Sequence, residues 1–558
     1  MTSAAGLPRP DGTPRRDGTA RRLRARPAAT ARIIGSIFTS SPLEVLRNLA
    51  WLAVAVASLV TGCATLPPPE GRTATSALAD TADTRLGRAV TPGVAHNPGR
   101  TGVHALPAPL DAFAARVLLA AAAEKSLDVQ YYIWHGDEVG YLLFEALWQA
   151  AERGVRVRLL LDDHNTAGLD PTIAALDAHP NLEVRLYNPV VQRDARALNF
   201  LTDFARVNRR MHNKSFTADN QVTVMGGRNI GNEYFGAGTG VVFADLDVLV
   251  VGPSVRDVSR EFDLYWNSPS AYPAAGFVGA PAPDAAAVLA AKFAANRADP
   301  DSAAYIEAVR ATPLLRDILE RRLPFEWTTA RLEYDDPAKT LDTEGRKDVL
   351  LFPQLVRTIG RPEKTFDLVS PYFVPGADGT AALAALAARG VRVRILTNSL
   401  AASDEKSVHS GYAKRREELL RAGVQLFELK PTAAKESRDG RDGLSGSSSA
   451  GLHAKTFAVD RSRIFVGSFN FDQRSALLNT EMGLVIESPT LAQRLAETFD
   501  TLVPRIAYEV RLAPDGRGLY WLERTAAGEQ RFDTEPDTSW SMRMGVEMLS
   551  ILPIEWLL

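Results

Sequence analysis

The sequence predicts an α/β protein of two similar lobes, each a mixed, mostly parallel sheet flanked by helices, with an active site where the lobes meet. Three observations predict this. Glu152-Arg-Gly-Val-Arg-Val-Arg-Leu-Leu160 recurs as Ala388-Arg-Gly-Val-Arg-Val-Arg-Ile-Leu396, which marks an internal duplication. Each copy lies inside a strand, helix, strand pattern, the unit from which parallel sheets are made. Each then runs on to the same polar motif, Met211-His-Asn-Lys-Ser-Phe-Thr-Ala-Asp219 and Leu452-His-Ala-Lys-Thr-Phe-Ala-Val-Asp460.

The elements follow in order. Strand-like runs at Leu127 to Trp134 and Phe366 to Val374 open the copies, and Ala- and Leu-rich helical patterns follow at Val139 to Arg153 and Gly379 to Arg389. A glycine turn leads to alternating strands at Val155 to Leu161 and Val391 to Thr397. Third strands are expected at Leu182 to Tyr187 and Val424 to Glu428, before the polar motif. Between the copies, Pro273 to about Lys347 is Ala-rich and reads as a mostly helical insertion packing on the lobes. The chain thus divides into a basic leader (1–63), a Pro-rich tether (64–106), a first lobe (107–272), the insertion (273–347), a second lobe (348–510) and a C-terminal extension (511–558).

The composition of the 558 residues, 46% apolar and 23% charged, is that of a folded soluble body. A formal net charge of −2 supplies no global attraction to polyanions, so a nucleic-acid partner is not expected. The single cysteine, Cys63, excludes an internal disulfide framework and a cysteine-ligated zinc site.

In a strand, alternate residues share a face. His212 with Lys214, and His453 with Lys455, therefore each present an imidazole beside an ammonium. Two such pairs facing each other make a cationic pocket. An imidazole can attack phosphorus or donate a proton near neutral pH, and two lysines can neutralise phosphodiester oxygens, so the chemistry needs neither metal nor cofactor. Small residues and an asparagine follow at Gly226-Gly227-Arg228-Asn229 and Gly467-Ser468-Phe469-Asn470. Gly227 and Ser468 are expected to let backbone approach a phosphate, with Asn229 and Asn470 as further donors. Asp245 and Glu481 are expected to hold the second nitrogen of a histidine, with Asp247 a competitor to Asp245.

The duplicated H-x-K-x4-D-x6-G-[GS]-x-N pattern resembles the phospholipase D superfamily, and the likeness runs from about Pro107 to the C-terminus. It implies a ping-pong displacement in which one histidine forms a phosphohistidine and the other protonates the leaving alcohol, then activates the acceptor. By position the resemblance makes His212 the nucleophile and His453 the acid and base. Asp219 and Asp460 belong to the catalytic motif and are expected to act as structural supports within it. Gly226-Gly-Arg-Asn-Ile-Gly-Asn-Glu-Tyr-Phe235, Gly467-Ser-Phe-Asn-Phe-Asp-Gln-Arg-Ser475 and the ending Leu549-Ser-Ile-Leu-Pro-Ile-Glu-Trp-Leu-Leu558 are most similar to bacterial cardiolipin synthases of the C type. This implies phosphatidyl transfer between phospholipids such as phosphatidylglycerol and phosphatidylethanolamine. Hydrolysis to phosphatidic acid is the alternative, and a phosphodiesterase or nuclease the more distant one. With both motifs in one chain, a monomer can complete the site.

The uncharged run Leu49 to Val60 is shorter than the roughly 20 residues of a membrane-spanning helix. Arg47 precedes it and Val60-Thr-Gly-Cys63 follows. This resembles a lipoprotein signal peptide with Cys63 as the lipidated residue. Ala64 after the cysteine favours the outer membrane over the inner, on the periplasmic side. Pro67-Pro-Pro69 and the polar stretch beyond it then form a tether. Two segments carry two readings each. Met542 to Leu558 either dips into a bilayer or packs as a core helix, and Lys435 to Ala450 is either a lid or a plain solvated loop. His135, His164 and His409 read as loop histidines, and Tyr131, Trp134 and Tyr372 as support for the cleft.

Overall fold

The computed structural model describes residues 66, 68, 70–238, 242–314, 317, 322–341, 347–433, 450–525 and 527–558. The leader with Cys63, Pro67 and Pro69 of the tether, and most of the Lys435 to Ala450 segment lie outside the described residues.

In chain order the strands are β1 (Thr101–Leu106), β2 (Ser126–Ile133), β3 (Arg156–Asn165), β4 (Leu182–Tyr187), β5 (Ser215–Ala218), β6 (Val222–Gly226), β7 (Val242–Ala244), β8 (Asp247–Val251), β9 (Ala271–Pro273) and β10 (Glu326–Thr328). The second series is β11 (Ala330–Tyr334), β12 (Thr365–Val369), β13 (Arg392–Asn398), β14 (Gln425–Leu429), β15 (Ala450–Leu452), β16 (Lys455–Val459), β17 (Arg463–Gly467), β18 (Met482–Ile486), β19 (Ala507–Leu512), β20 (Leu519–Thr525) and β21 (Gly528–Phe532). One sheet is ordered β10-β1-β8-β6-β5-β2-β3-β4-β9, the other β11-β18-β17-β16-β12-β13-β14-β19-β20-β21. The duplication is visible as the shared run from β8 to β4 and from β18 to β14.

Both sheets are mixed, as expected, but the expected parallel majority is corrected. Only β2, β3 and β4, and their counterparts β12, β13 and β14, pair in parallel. The reason is local. Each motif strand is returned by a tight turn, at Asp219-Asn220 and at Asp460-Arg461, where all four residues have φ of 50–53°. Such turns match strand twist and force antiparallel hairpins. The parallel core is bridged by helices Glu138–Glu152 and Gly376–Ala388, close to their expected bounds.

The repeated Arg-Val-Arg segment has a packing explanation. Its second arginine enters the sheet, and Arg158 Nε donates to Asp128 at 2.6 Å just as Arg394 Nε donates to Asp367 at 2.6 Å. All four side chains are buried. Removing one partner of such a pair leaves an uncompensated charge in the interior. Arg394→Ala is expected to lower unfolding stability by about 3–5 kcal/mol, read from urea unfolding of the full chain.

The reading of 273–347 as mostly helical is corrected in its second half. Helices Ala285–Ala298 and Pro300–Arg310 come first. The chain then crosses between the sheets, with β10 pairing β1 in one and β11 pairing β18 in the other. Trp327, Thr328 and Thr329 favour extended backbone, a signal masked by the Ala-rich stretch before them. The boundary expected at 510 also falls inside a strand, because β19, β20 and β21 extend the second sheet as a meander. Helix Trp540–Ser550 follows.

Each sheet has an outer helix-covered core and an inner face turned to the other lobe. Met225, Val248 and Val250 of the first lobe form one buried cluster with Ala458, Ile464, Val466, Met482 and Leu484 of the second. Each fully buried aliphatic side chain contributes about 1.5–3 kcal/mol, so this layer holds the lobes in the register on which the site depends. No helix among the described residues is long and apolar enough to cross a membrane.

Candidate active site

The two histidine motifs meet at the seam between the lobes. They sit on extended backbone just ahead of their strands: β5 begins at Ser215, after both His212 and Lys214, while β16 begins at Lys455. The expectation that all four lie inside a strand is corrected. Their positions are set by the opposite lobe. His212 N donates to Thr480 O at 2.9 Å, and His453 N donates to Ala244 O at 2.8 Å. Beside the second contact, β7 and β15 form a two-stranded parallel ribbon between the lobes.

Thr480 and Ala244 immediately precede Glu481 and Asp245, so the backbone contact delivers a carboxylate to the neighbouring imidazole. His212 Nδ1 lies 2.8 Å from Glu481 Oε2, and His453 Nδ1 lies 2.6 Å from Asp245 Oδ2. Each histidine is therefore paired with the carboxylate of the other lobe. Asp247 is not the partner, since its carboxylate accepts from Arg116 at 2.8 Å.

Lys214 and Lys455 are buried with the histidines. Lys214 Nζ donates to His212 O. Lys455 Nζ donates to His453 O at 2.5 Å and lies 3.0 Å from His453 Nε2. Aromatic rings frame the imidazoles. Tyr132 meets His212 edge-on at 4.8 Å, Tyr234 meets His453 edge-on at 5.0 Å, and Phe243 stacks on His453 at 5.4 Å.

The electrostatics differ between the halves. Burial, reinforced by Lys214 and Lys455, holds His212 well below the usual imidazole value. Burial and Lys455 also lower His453, against the pull of Asp245. Burial would push Asp245 up, but His453, Lys455 and Arg228 outweigh it and hold the carboxyl at about 2. Glu481 is pushed up to about 7 by burial, despite Lys214 and the Ser468 and Ser475 hydroxyls. One half keeps an ionised carboxylate, and the other holds a carboxyl that titrates near neutrality.

Burial lowers Lys455 to about 8. Its charged form, the one that attracts a phosphodiester, is present below that pH and lost above it. The kcat/KM profile, which reports the free enzyme, is expected to fall above pH about 8 at a slope approaching tenfold per unit. Lys455→Arg should weaken that fall, because a guanidinium stays charged, and what remains reports Lys214, which burial also holds well below the usual ammonium value.

Several expected residues have other tasks. Asp219 accepts from the backbone N–H of Glu124, Lys125 and Ser126, and Asp460 from Glu363, Lys364 and Thr365. These carboxylates tie the motif hairpin to the start of β2 and β12 and are structural. Ser468, expected at the phosphate, instead donates to Glu481 Oε2 at 2.5 Å and accepts from Met482 N. Gly227 is needed for a different close approach, since a Cβ there would overlap the Asp245 carboxylate. Asn229 Oδ1 accepts from Ile133 N at 3.2 Å, while its buried Nδ2 has no partner within hydrogen-bonding geometry among the described residues. Asn470 Oδ1 is likewise buried and unpartnered.

Sequence reasoning missed a second set. Ser475 Oγ donates to Glu481 Oε1 at 2.8 Å, and Glu481 N donates to Asp335 Oδ2 at 2.8 Å. Lys339 Nζ in turn donates to Asp335 at 2.9 Å. Arg228 donates to Asp245 O at 2.8 Å and braces the other carboxylate. Tyr131 and Trp134 are core residues, with Trp134 stacked on Phe144. The neighbouring Tyr132, on the opposite face of the strand, is the ring at the site, which alternation could have indicated. His164 rests against Phe200 and His409 against Tyr412. His135, with Asp137 and Glu233, forms a grouping with metal-ligand spacing, but both Asp137 oxygens already accept backbone N–H groups, from Gly140 and Asn232.

Two like lobes that exchange carboxylates around paired His and Lys residues define a phospholipase D-like site. The family described as cardiolipin synthase, PLD-like domain, matches residues 118–266 and 355–503, and the chain belongs to that family. It is 48% identical over 474 residues to cardiolipin synthase C of Escherichia coli K12, covering 85% of this chain and all of that protein. An uncharacterized protein of Helicobacter pylori strain 26695 is 29% identical, with 82% of this chain and 89% of that one covered. Among solved structures, a phosphatidylserine synthase of Haemophilus influenzae matches with a TM-score of 0.49 at 15% identity, covering 76% of this chain and 91% of that one.

Proposed function

We propose that the chain transfers a phosphatidyl group from one phospholipid to a hydroxyl of another, with phosphatidylglycerol as donor and acceptor and cardiolipin as product. The observation that carries this reading is the pair of buried histidines, each with Nδ1 on a carboxylate and a lysine alongside. A carboxylate that accepts from Nδ1–H leaves Nε2 as the reacting nitrogen.

In the first step His212 Nε2 attacks phosphorus and the bond to the head-group alcohol breaks. His453 gives that oxygen a proton, and a phosphohistidine is left on His212. In the second, the acceptor hydroxyl passes its proton to His453 and attacks phosphorus, releasing His212. The stronger depression of His212 supports its role as nucleophile, which requires a neutral imidazole. Lys214, Lys455 and the open Nδ2 of Asn229 are placed to stabilise the phosphoryl oxygens. The 48% identity to a cardiolipin synthase across its whole length supports a lipid acceptor.

Lipidation of Cys63 would tether the enzyme to the periplasmic face of the envelope, with the outer membrane favoured by Ala64. One chain supplies every group of the site, which supports action as a monomer.

The test is product analysis by mass spectrometry, with the full chain in mixed micelles of phosphatidylglycerol and phosphatidylethanolamine. Cardiolipin is expected. Phosphatidic acid alone would make the enzyme a hydrolase, and absence of lipid turnover would redirect the search to other phosphodiesters, nucleic acids included.

A further inference from the structure

We propose that a rim of exposed apolar side chains around Arg474 is the face by which the protein docks on a phospholipid bilayer. The proposal rests on the lipid-transfer reading above. Arg474 joins three segments. Its guanidinium donates to Asn208 Oδ1 at 2.9 Å, Asn208 O at 2.8 Å and Leu557 O at 3.1 Å, and its backbone N donates to Leu558 O at 2.9 Å. The next residue, Ser475, donates to Glu481 Oε1 at 2.8 Å, and Glu481 holds His212 Nδ1 at 2.8 Å. Whatever surrounds Arg474 therefore lies on the side of the site held by Glu481.

Each of the three joined segments leaves large apolar groups in solvent. Leu198, Leu201 and Phe204 stand on the segment leading to Asn208, Leu477 lies one turn beyond Arg474, and Ile551 and Trp556 belong to the C-terminal tail. Leu201 is 71% exposed, Ile551 79% and Trp556 51%. The tail itself is fixed. Leu558 is buried against Val374 and Val408, and Glu555 pairs with Arg415 at 3.0 Å. Exposure of Trp556 is thus a property of an anchored segment. Of the two readings of the C-terminal stretch, its end packs on the body while Ile551 and Trp556 stay uncovered.

Clustered exposed apolar groups mark a binding surface, and the burial of the site selects a bilayer. His212 and His453 are only 6% and 8% exposed, so a substrate head group must enter a narrow mouth. A diacyl lipid leaving the bilayer for such a mouth would lose the burial of its chains. The mouth must therefore sit at head-group level, with its rim in the acyl boundary.

The experiment compares the full chain with a Leu201→Glu, Ile551→Glu, Trp556→Ala triple variant on two forms of phosphatidylglycerol. One is a long-chain lipid in vesicles, the other a dihexanoyl lipid dispersed below its micelle concentration. The expected result is a loss of at least about tenfold on vesicles with the rate on dispersed lipid kept within about twofold. Equal rates for wild type and variant on vesicles would overturn the proposal. So would an equal loss on both substrates, because the residues would then act on the site and not on the surface. Failure of the wild type on both lipids would instead refute the lipid-transfer reading.

Discussion

His212→Ala and His453→Ala are each expected to reduce steady-state transfer by orders of magnitude, by different routes. Loss of His453 removes the proton donor and acceptor, an effect of about 10²–10⁴-fold. Loss of His212 removes the atom proposed to carry the phosphoryl group and should cost at least as much. Because the two act in one sequence of bonds, the double variant should be little worse than the poorer single one. The singles are separable by trapping. With radiolabelled phosphatidylglycerol, acid-labile label is expected on His453→Ala, formed slowly for want of the proton donor and released slowly for want of the base, and absent from His212→Ala. Label on the alanine-212 protein would reverse the assignment. Both side chains are buried in a seam held by apolar packing, so circular dichroism is expected to stay that of the wild type.

Asp245→Asn and Glu481→Gln should be unequal. The amides keep the shape of the carboxylates but can present the wrong group to Nδ1, and such a change of histidine tautomer can cost on the order of 10²–10⁴-fold in kcat. Asp245 is held ionised, at about 2, so Asp245→Asn removes a full charge beside the histidine that must carry a proton. Glu481 sits at about 7, so Glu481→Gln removes a group already partly neutral and should be the milder change. The effects should also cross the lobes. Glu481→Gln, a second-lobe substitution, should slow formation of the intermediate on His212, whereas Asp245→Asn should slow both its formation and its release, since His453 moves the proton in each step. Single-turnover measurements of burst and decay separate the two steps.

Much of this architecture could be read from the residues, for identifiable reasons. The Arg-Gly-Val-Arg-Val-Arg repeat stands out because it encodes a glycine turn, a strand and a buried arginine whose aspartate partner lies on the next strand. The His-x-Lys pairs stand out because two cations brought together in an interior need an anion. What stayed hidden depends on long-range pairing. His212 and Glu481 are 269 residues apart, and His453 and Asp245 are 208 apart. No local pattern says which carboxylate crosses to which imidazole. Asp335 and Lys339 were missed for the same reason, being on a segment whose Ala-rich approach suggested helix. The bond of Ser468 to Glu481 was not legible because a small polar residue after a glycine suits a phosphate and a neighbouring carboxylate equally well.

The exchange of carboxylates has a consequence for the timing of activity. As the chain is made from its N-terminus, the first lobe emerges with His212 already encoded but with its orienting carboxylate still a lobe away. The same lobe carries Asp245 before there is a second imidazole for it to hold. A chain that stops short of Glu481 is expected to be inactive, because His212 then lacks its carboxylate. An enzyme able to rearrange the lipids around it is in this way expected to stay silent until its second lobe has been made and packed against the first.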